Sequence, residues 1–189
     1  RSGRVTGVQT CVFRSRPIRL LNVNCQSISG KKGAWINLLA STKPDIIIAT
    51  ETWLDPSISD SELECGGYNI YRYDRRKGTG GGVIIAVNTE ITSSRLKVNA
   101  VTDAEILWIK VHCQGHKDIL IAACYRPDVS DKVTSVELRE SLTELSTNRK
   151  RAFGIIVGGD FNYPGCGPTS GIRRHFGRFW IDTARYRTN

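Results

Sequence analysis

Five short apolar runs limit what this chain can fold into. Residues 46–49, 83–87, 105–111, 119–125 and 153–157 are rich in Ile and Val, and each is the length of a strand. Runs of this size bounded by turn residues fit strands covered on both faces, whereas a buried helix needs a longer one. None approaches the roughly 20 apolar residues of a membrane span. Between residues 68 and 125 the strand patterns follow one another with no helical pattern between them, as hairpins do. The sequence therefore predicts an α+β layered sandwich rather than a regular βαβ series.

The remaining elements fall around these runs. Residues 18–24 read as a first strand ending in polar residues, and residues 68–73 as a short strand that alternates with polar positions. Trp35, Leu38 and Leu39 give residues 34–40 an apolar helical face, which Lys43-Pro44-Asp45 ends. A loop rich in Asp, Ser and Pro occupies residues 55–67. Thr134-Ser135-Val136-Glu137 has the capping-box pattern and predicts a helix opening there, with Leu138, Leu142 and Leu145 on one face. At 189 residues the chain fits one domain with a real core, and Trp35 and Trp108 lie on apolar faces as core residues do.

Charge is unevenly spread. The 44 residues before Asp45 hold eight basic residues and no acid, residues 45–164 hold 14 basic and 17 acidic, and residues 165–189 hold five arginines and one aspartate. An acidic centre between basic flanks suits a protein that releases counterions from a polyanion, and the alternative for residues 1–17 is a solvated, disordered leader. The six cysteines form no Cys-x-x-Cys pair and several sit in strand patterns, which favours a reduced intracellular protein. A zinc site from His112, Cys113 and His116 is conceivable, but neighbours in a strand point to opposite faces. The absence of methionine suggests a piece of a longer reading frame.

Three strands end in residues with chemistry to offer: Asn22 and Asn24, then Glu51, then Asp160 and Asn162. Carboxylates and amides are hard oxygen donors, suited to Mg²⁺ or Mn²⁺ rather than zinc. If the strand ends converge, Glu51 holds the ion, Asp160 polarises a water and the amides orient a phosphate. Such a set serves a phosphodiesterase. The other reading is structural, because Asn and Asp at strand ends also form turns. The turn Gly78-Thr79-Gly80-Gly81-Gly82 lacks the lysine and hydroxyl of a P-loop and reads as a tight strand connection. Arg75, Arg76 and Lys77 beside it are candidates to touch a nucleic-acid backbone. Trp53 has no clear place in either pattern.

Taken in order, Leu21-Asn22-Val23-Asn24, Thr50-Glu51-Thr52-Trp53-Leu54, Gly80-Gly81-Gly82-Val83, Cys124-Tyr125-Arg126-Pro127 and Gly159-Asp160-Phe161-Asn162 resemble the endonuclease/exonuclease/phosphatase superfamily. Within it they look most like the apurinic-endonuclease-type domain of non-LTR (LINE-like) retrotransposons. The resemblance covers about residues 18–164. It implies a four-layer α/β/β/α sandwich and Mg²⁺-dependent (or Mn²⁺-dependent) nicking of DNA. The free 3′-hydroxyl then primes a reverse transcriptase domain of the same polyprotein. The expected place is the nucleus, with neither a membrane nor a small-molecule cofactor.

By position, the resemblance gives Glu51 and Asn24 to the metal, Asp160 to the attacking water and Asn162 to the phosphate. Asn22 supports the metal site and Tyr125 contacts the scissile phosphate. Asn24 stands where repair enzymes of the superfamily carry an aspartate. Arg126, within the Tyr-Arg-Pro motif, joins Arg75, Arg76 and Lys77 as a nucleic-acid-binding candidate.

The sequence departs from the family after Pro164. The expected closing Ser-Asp-His motif does not follow, and His175 lies in Arg173-Arg174-His175-Phe176 without a preceding aspartate. The reading is thus a basic leader at 1–17, the domain at 18–164, incomplete at its C-terminus, and an arginine-rich atypical tail at 165–189. Two alternatives stay beside the DNA endonuclease. One is an inactive, truncated remnant that retains nucleic-acid binding; the other is a phosphoesterase of the same fold for a small phosphoester.

Overall fold

The computed structural model describes residues 12–13, 16–76, 78–147, 152–162, 172–175 and 178–182. Strands β1 (Val12–Phe13) and β2 (Arg16–Pro17) make a small antiparallel pair in the leader. β3 (Leu20–Asn24) leads through a 3₁₀ turn into α1 (Lys32–Thr42), and β4 (Ile46–Thr50) follows. Next come β5 (Tyr68–Tyr73), β6 (Val83–Asn88), β7 (Ser93–Leu96), β8 (Glu105–Val111) and β9 (Asp118–Tyr125). Then α2 (Lys132–Thr147) leads to β10 (Ala152–Asp160). β11 (Ile172–His175) and β12 (Arg178–Asp182) fall within the arginine-rich tail.

These strands build two main sheets, one in the order β3-β4-β6-β5 and one in the order β11-β12-β10-β9-β8-β7. Three separate apolar clusters show how they stack. Ile46, Ile48, Val83 and Ile85 of the first sheet meet Leu107, Ile109, Ile121 and Ala123 of the second between the two. Trp35 and Leu39 of α1 cover the far face of the first sheet through Leu21, Ile47, Ile84 and Ala86. Leu138 and Leu142 of α2 cover the far face of the second through Ile106, Trp108, Leu120 and Val157. The order is helix, sheet, sheet, helix, the four-layer α/β/β/α sandwich expected.

This layering explains the apolar runs. β4, the first five residues of β6 and all but the first of β9 are buried on both faces, because each lies in a sheet covered on both sides. The helix boundaries follow from local chemistry. Lys43 caps α1 in the left-handed region, its N–H donating to the Leu39 carbonyl at 2.8 Å, and Pro44 prevents a further turn. α2 corrects the sequence reading. It opens at Lys132, with the Thr134 N–H donating to Asp131 Oδ1 at 3.0 Å, so the cap lies upstream of the Thr134 motif.

Glu137, expected to fold back on that cap, instead accepts the N–H groups of Thr102, Asp103 and Ala104 together with the Thr102 hydroxyl. It thereby ties α2 to the segment entering β8.

What positions the site is the strand direction. β3 runs parallel to β4, with Asn24 beside Thr50, and β9 runs parallel to β10, with Tyr125 beside Asp160. β10 also touches β3 and β4 of the facing sheet. Four carboxyl-terminal strand ends, two from each sheet, therefore meet at one edge of the sandwich.

Candidate active site

β10 approaches the facing sheet closely because it carries two glycines before Asp160. A Cβ at Gly158 would stand 2.6 Å from Ile48 Cδ1, and Gly159 has φ +144°, where a side chain would overlap the Cys124 carbonyl. That backbone geometry is open to glycine and little else. The approach lets hydrogen bonds cross between the sheets. Asn22 Nδ2 donates to the Gly159 carbonyl at 3.4 Å, and Asn24 Nδ2 donates to Asp160 Oδ2 at 2.9 Å. The Tyr125 hydroxyl donates to Glu51 Oε1 in a short bond. Asn22, Asn24, Glu51, Tyr125 and Asp160 are thus brought together from four strands.

Glu51 sits just past β4 with φ +54°, an uncommon conformation for a non-glycine residue. Its Oε2 accepts the Trp53 indole N–H at 2.7 Å and the Gly81 N–H at 3.5 Å. With Tyr125 on Oε1, the described residues engage three of the roughly four lone-pair positions of a carboxylate and leave one on Oε1 for a further partner. Burial raises the Tyr125 phenol pKa, and the Glu51 hydrogen bond and charge raise it further, against the opposing pull of Arg75. The phenol therefore keeps its proton well above the neutral range.

The donor set fits a hard divalent cation. Among the described residues Asn24 Oδ1 is buried with no hydrogen-bond partner, beside the Asp160 carboxylate that its own amide nitrogen holds. A buried amide oxygen left in this state loses its hydration unless a ligand replaces it. Among the described residues no group of three or more His, Cys, Asp or Glu side chains is placed to hold a metal. The ion would rest on the Glu51 carboxylate and the Asn24 amide oxygen, a set suited to Mg²⁺ or Mn²⁺, with the Asp160 carboxylate beside it for water. In the zinc alternative, His112 Nε2 lies 3.0 Å from Ser94 Oγ and its Nδ1 3.4 Å from Asp118 Oδ1.

The other expected residues are placed around this cluster with different partners. Asn162, at φ +46°, turns its amide onto the carbonyls of Arg126 (2.5 Å) and Pro127 (3.1 Å), where it fastens the loop after β9. Arg126 is buried, its guanidinium donating to the carbonyls of Val129, Asp131 and Phe161. It braces that loop rather than presenting charge to a polyanion. Arg75 is half-buried, paired with Glu105 through Nε and lying 5.6 Å above the Tyr125 ring. Burial opposes its charge, yet the Glu105 hydrogen bond and charge raise its pKa. Arg76 is exposed, and Lys77 lies outside the described residues.

Two neighbours of the site stood outside the sequence reading. Glu105 accepts the Gly82 N–H at 2.6 Å as well as Arg75, which fixes the glycine turn against the second sheet. Its signal was a carboxylate opening an apolar strand. Trp53, unplaced by periodicity, is the indole that holds Glu51.

A family model described as the Endonuclease/Exonuclease/phosphatase family matches residues 21–187. No curated protein matches the chain. Among solved structures the chain is similar to the human Nocturnin catalytic domain with bound sulfate, at 16% identity and a TM-score of 0.62, covering 87% of this chain and 72% of that one. It is similar to the endonuclease domain of TRAS1, a telomere-specific non-LTR retrotransposon, at 17% identity and 0.57, covering 79% and 63%. It is also similar to the AP endonuclease LMAP from Leishmania major, at 20% identity and 0.59, covering 81% and 60%. Likeness at these identities is likeness of fold, and the chain spans less than two thirds of the last two. With the family model running through the strand-end cluster and the sandwich common to all three structures, the chain belongs to the endonuclease/exonuclease/phosphatase family.

Proposed function

We propose that this chain is a Mg²⁺-dependent (or Mn²⁺-dependent) DNA endonuclease, acting inside the cell as the nicking domain of a non-LTR retrotransposon polyprotein. The observation that carries the reading is the meeting of Glu51, Asp160, Asn24 and Tyr125 at one edge of the sandwich. A divalent ion on Glu51 and Asn24 would offset the charge that builds on the phosphate oxygens. Asp160 is held by Asn24 and by the Asn162 N–H at 3.3 Å, so its carboxylate is aimed before substrate arrives. It takes a proton from water as the water oxygen bonds to phosphorus. The bond from phosphorus to the 3′ oxygen breaks, and that oxygen leaves as a 3′-hydroxyl after taking up a proton. Tyr125 keeps a hydroxyl proton in the site for a phosphate oxygen.

The basic flanks, and likeness to both a retrotransposon endonuclease and an AP endonuclease, support a DNA substrate and linkage to a reverse transcriptase. The family also contains phosphatases, and a structure of ANGEL2, a 2′,3′-cyclic phosphatase, is similar at 17% identity and a TM-score of 0.55. The test offers supercoiled plasmid and a small aryl phosphomonoester to the same preparation with Mg²⁺. Nicking that leaves 3′-hydroxyl ends, with the monoester untouched, supports the nuclease. Monoester hydrolysis without nicking selects the small-phosphoester reading, and neither activity from folded protein selects the inactive binder.

A further inference from the structure

Trp53 is held in an unfavourable way for a structural residue. Its φ is +53°, a genuine outlier for a bulky aromatic, and a conformation of this kind persists only where the surroundings enforce it. Burial alone does not enforce it, since the residue is 49% exposed and is the one aromatic among the exposed large hydrophobic residues described. Yet the side chain is fastened. Its indole N–H donates to Glu51 Oε2 at 2.7 Å, and its backbone N–H donates to the Gly81 carbonyl at 2.9 Å. The glycine turn closes on the ring as well: a Cβ at Gly80 would stand 3.2 Å from Nε1 and 3.6 Å from Cε2. A flat apolar ring is thus fixed by one edge to the carboxylate of the candidate site while much of its surface stays in water.

From this geometry we infer that Trp53 is a stacking platform for a nucleobase next to the scissile phosphate. The inference rests on the nuclease reading above and sharpens it, because a small phosphoester without a base has nothing to place on the ring. A base brings a π-face and, one linkage away, a phosphate that must reach the Glu51–Asp160 cluster. The Trp53–Glu51 hydrogen bond couples the two positions, so binding the base and placing the phosphate become one event. Pre-fixing the ring also removes the entropy cost of ordering it when substrate binds. Stacking tolerates any base, so Trp53 sets position along the strand rather than sequence.

The test measures KM and kcat for wild type, Trp53→Phe and Trp53→Ala. Substrates are one oligonucleotide duplex and the same duplex with each nucleotide flanking the cut made abasic in turn. Losing one base–aromatic stack corresponds to roughly a 5- to 150-fold effect. Trp53→Ala should raise KM within that range with kcat changed only a few-fold, and Trp53→Phe, which keeps the stacking face but loses the indole bond to Glu51, should hold KM near wild type at a few-fold cost in kcat. One abasic position should erase the difference between wild type and Trp53→Ala. If Phe behaves like Ala and kcat falls in both, the indole N–H on Glu51 is what matters, and stacking is overturned. A Trp53→Ala effect that ignores the base overturns it too.

If no form cleaves, the nuclease reading fails on its own, and the same set is read by fluorescence anisotropy. Base-dependent weakening by Trp53→Ala then still supports the platform, and equal binding by wild type and Trp53→Ala overturns it.

Discussion

Glu105 and Arg75 should be coupled far beyond what their separate removal suggests. The Glu105 carboxylate holds two donors, Gly82 N–H on one oxygen and Arg75 Nε on the other. Glu105→Gln cannot serve both, because its amide must turn an NH₂ group toward one of them. The side chains are 11% and 22% exposed, between a surface pair worth ~0–1 kcal/mol and a buried pair whose breaking costs ~3–5 kcal/mol. We expect Glu105→Gln to cost about 2–3 kcal/mol, since it also leaves a half-buried guanidinium poorly paired. Arg75→Met should cost about 1–2 kcal/mol, as the apolar stem is kept. In the double variant the amide oxygen can face Gly82 with no cation left over, so the total should fall short of the sum by about 1–2 kcal/mol.

Urea unfolding of the four proteins measures this directly. Costs that add within ~0.5 kcal/mol would refute the pairing, because coupled neighbours depart from additivity by more than that. A functional consequence follows from the same contacts. Arg75 lies over the Tyr125 ring, and Gly81 bonds to both Glu51 and Trp53, so loosening the glycine turn should depress nicking more than substrate binding.

Gly159→Ala should destabilise by roughly 2–6 kcal/mol, from overlap with the Cys124 carbonyl together with a backbone conformation unsuited to alanine. Gly33→Ala, in α1 with nothing within 4 Å of the added Cβ, should instead stabilise by about 0.5–1 kcal/mol, and thermal melts of the two provide the contrast. Glu137→Gln should cost about 1–2 kcal/mol at neutral pH by weakening the carboxylate's hold on residues 102–104. Burial works against the Glu137 charge, but bonds from Thr102, Ala104 and Asp103 hold its pKa below the ordinary 4.5. Its contribution is therefore present above that pH and is lost as pH falls through the lower folded value. The stability gap between wild type and Glu137→Gln should close in acid, and a gap constant down to low pH would contradict the assignment.

The layers were legible in the sequence wherever burial on both faces forces a strand to be apolar throughout, as in β4, β6, β8 and β9. β7 was not legible. Its Ser93-Ser94-Arg95-Leu96 has no apolar pattern, and it is a strand because its backbone pairs with β8 at the sheet edge. The apolar run of β10 stops at Val157, and what its sequence did not announce is that Gly158 and Gly159, having no side chains, let the strand pass the facing sheet. The Thr134 capping motif misled because Glu137 found partners in a loop distant in sequence.

The same division holds in the site. Asn22, Asn24, Glu51 and Asp160 announced themselves as polar ends of apolar strands. Trp53 and Glu105 did not, since their roles depend on which strand ends meet. Arg126 carried the motif's chemistry in the sequence but in the fold holds the loop after β9, whereas Asn162 fastens that loop with its side chain and gives its N–H to Asp160.

Plasmid nicking with Mg²⁺ by wild type, Glu51→Gln and Asp160→Asn, each shown to be folded by circular dichroism, tests the central claim most directly. The account predicts nicking by wild type and a loss of at least about a hundred-fold in each variant, as when one group acting on developing charge is removed. Nicking that survives both substitutions would place the chemistry elsewhere, and the strand-end cluster would be only a junction between two sheets.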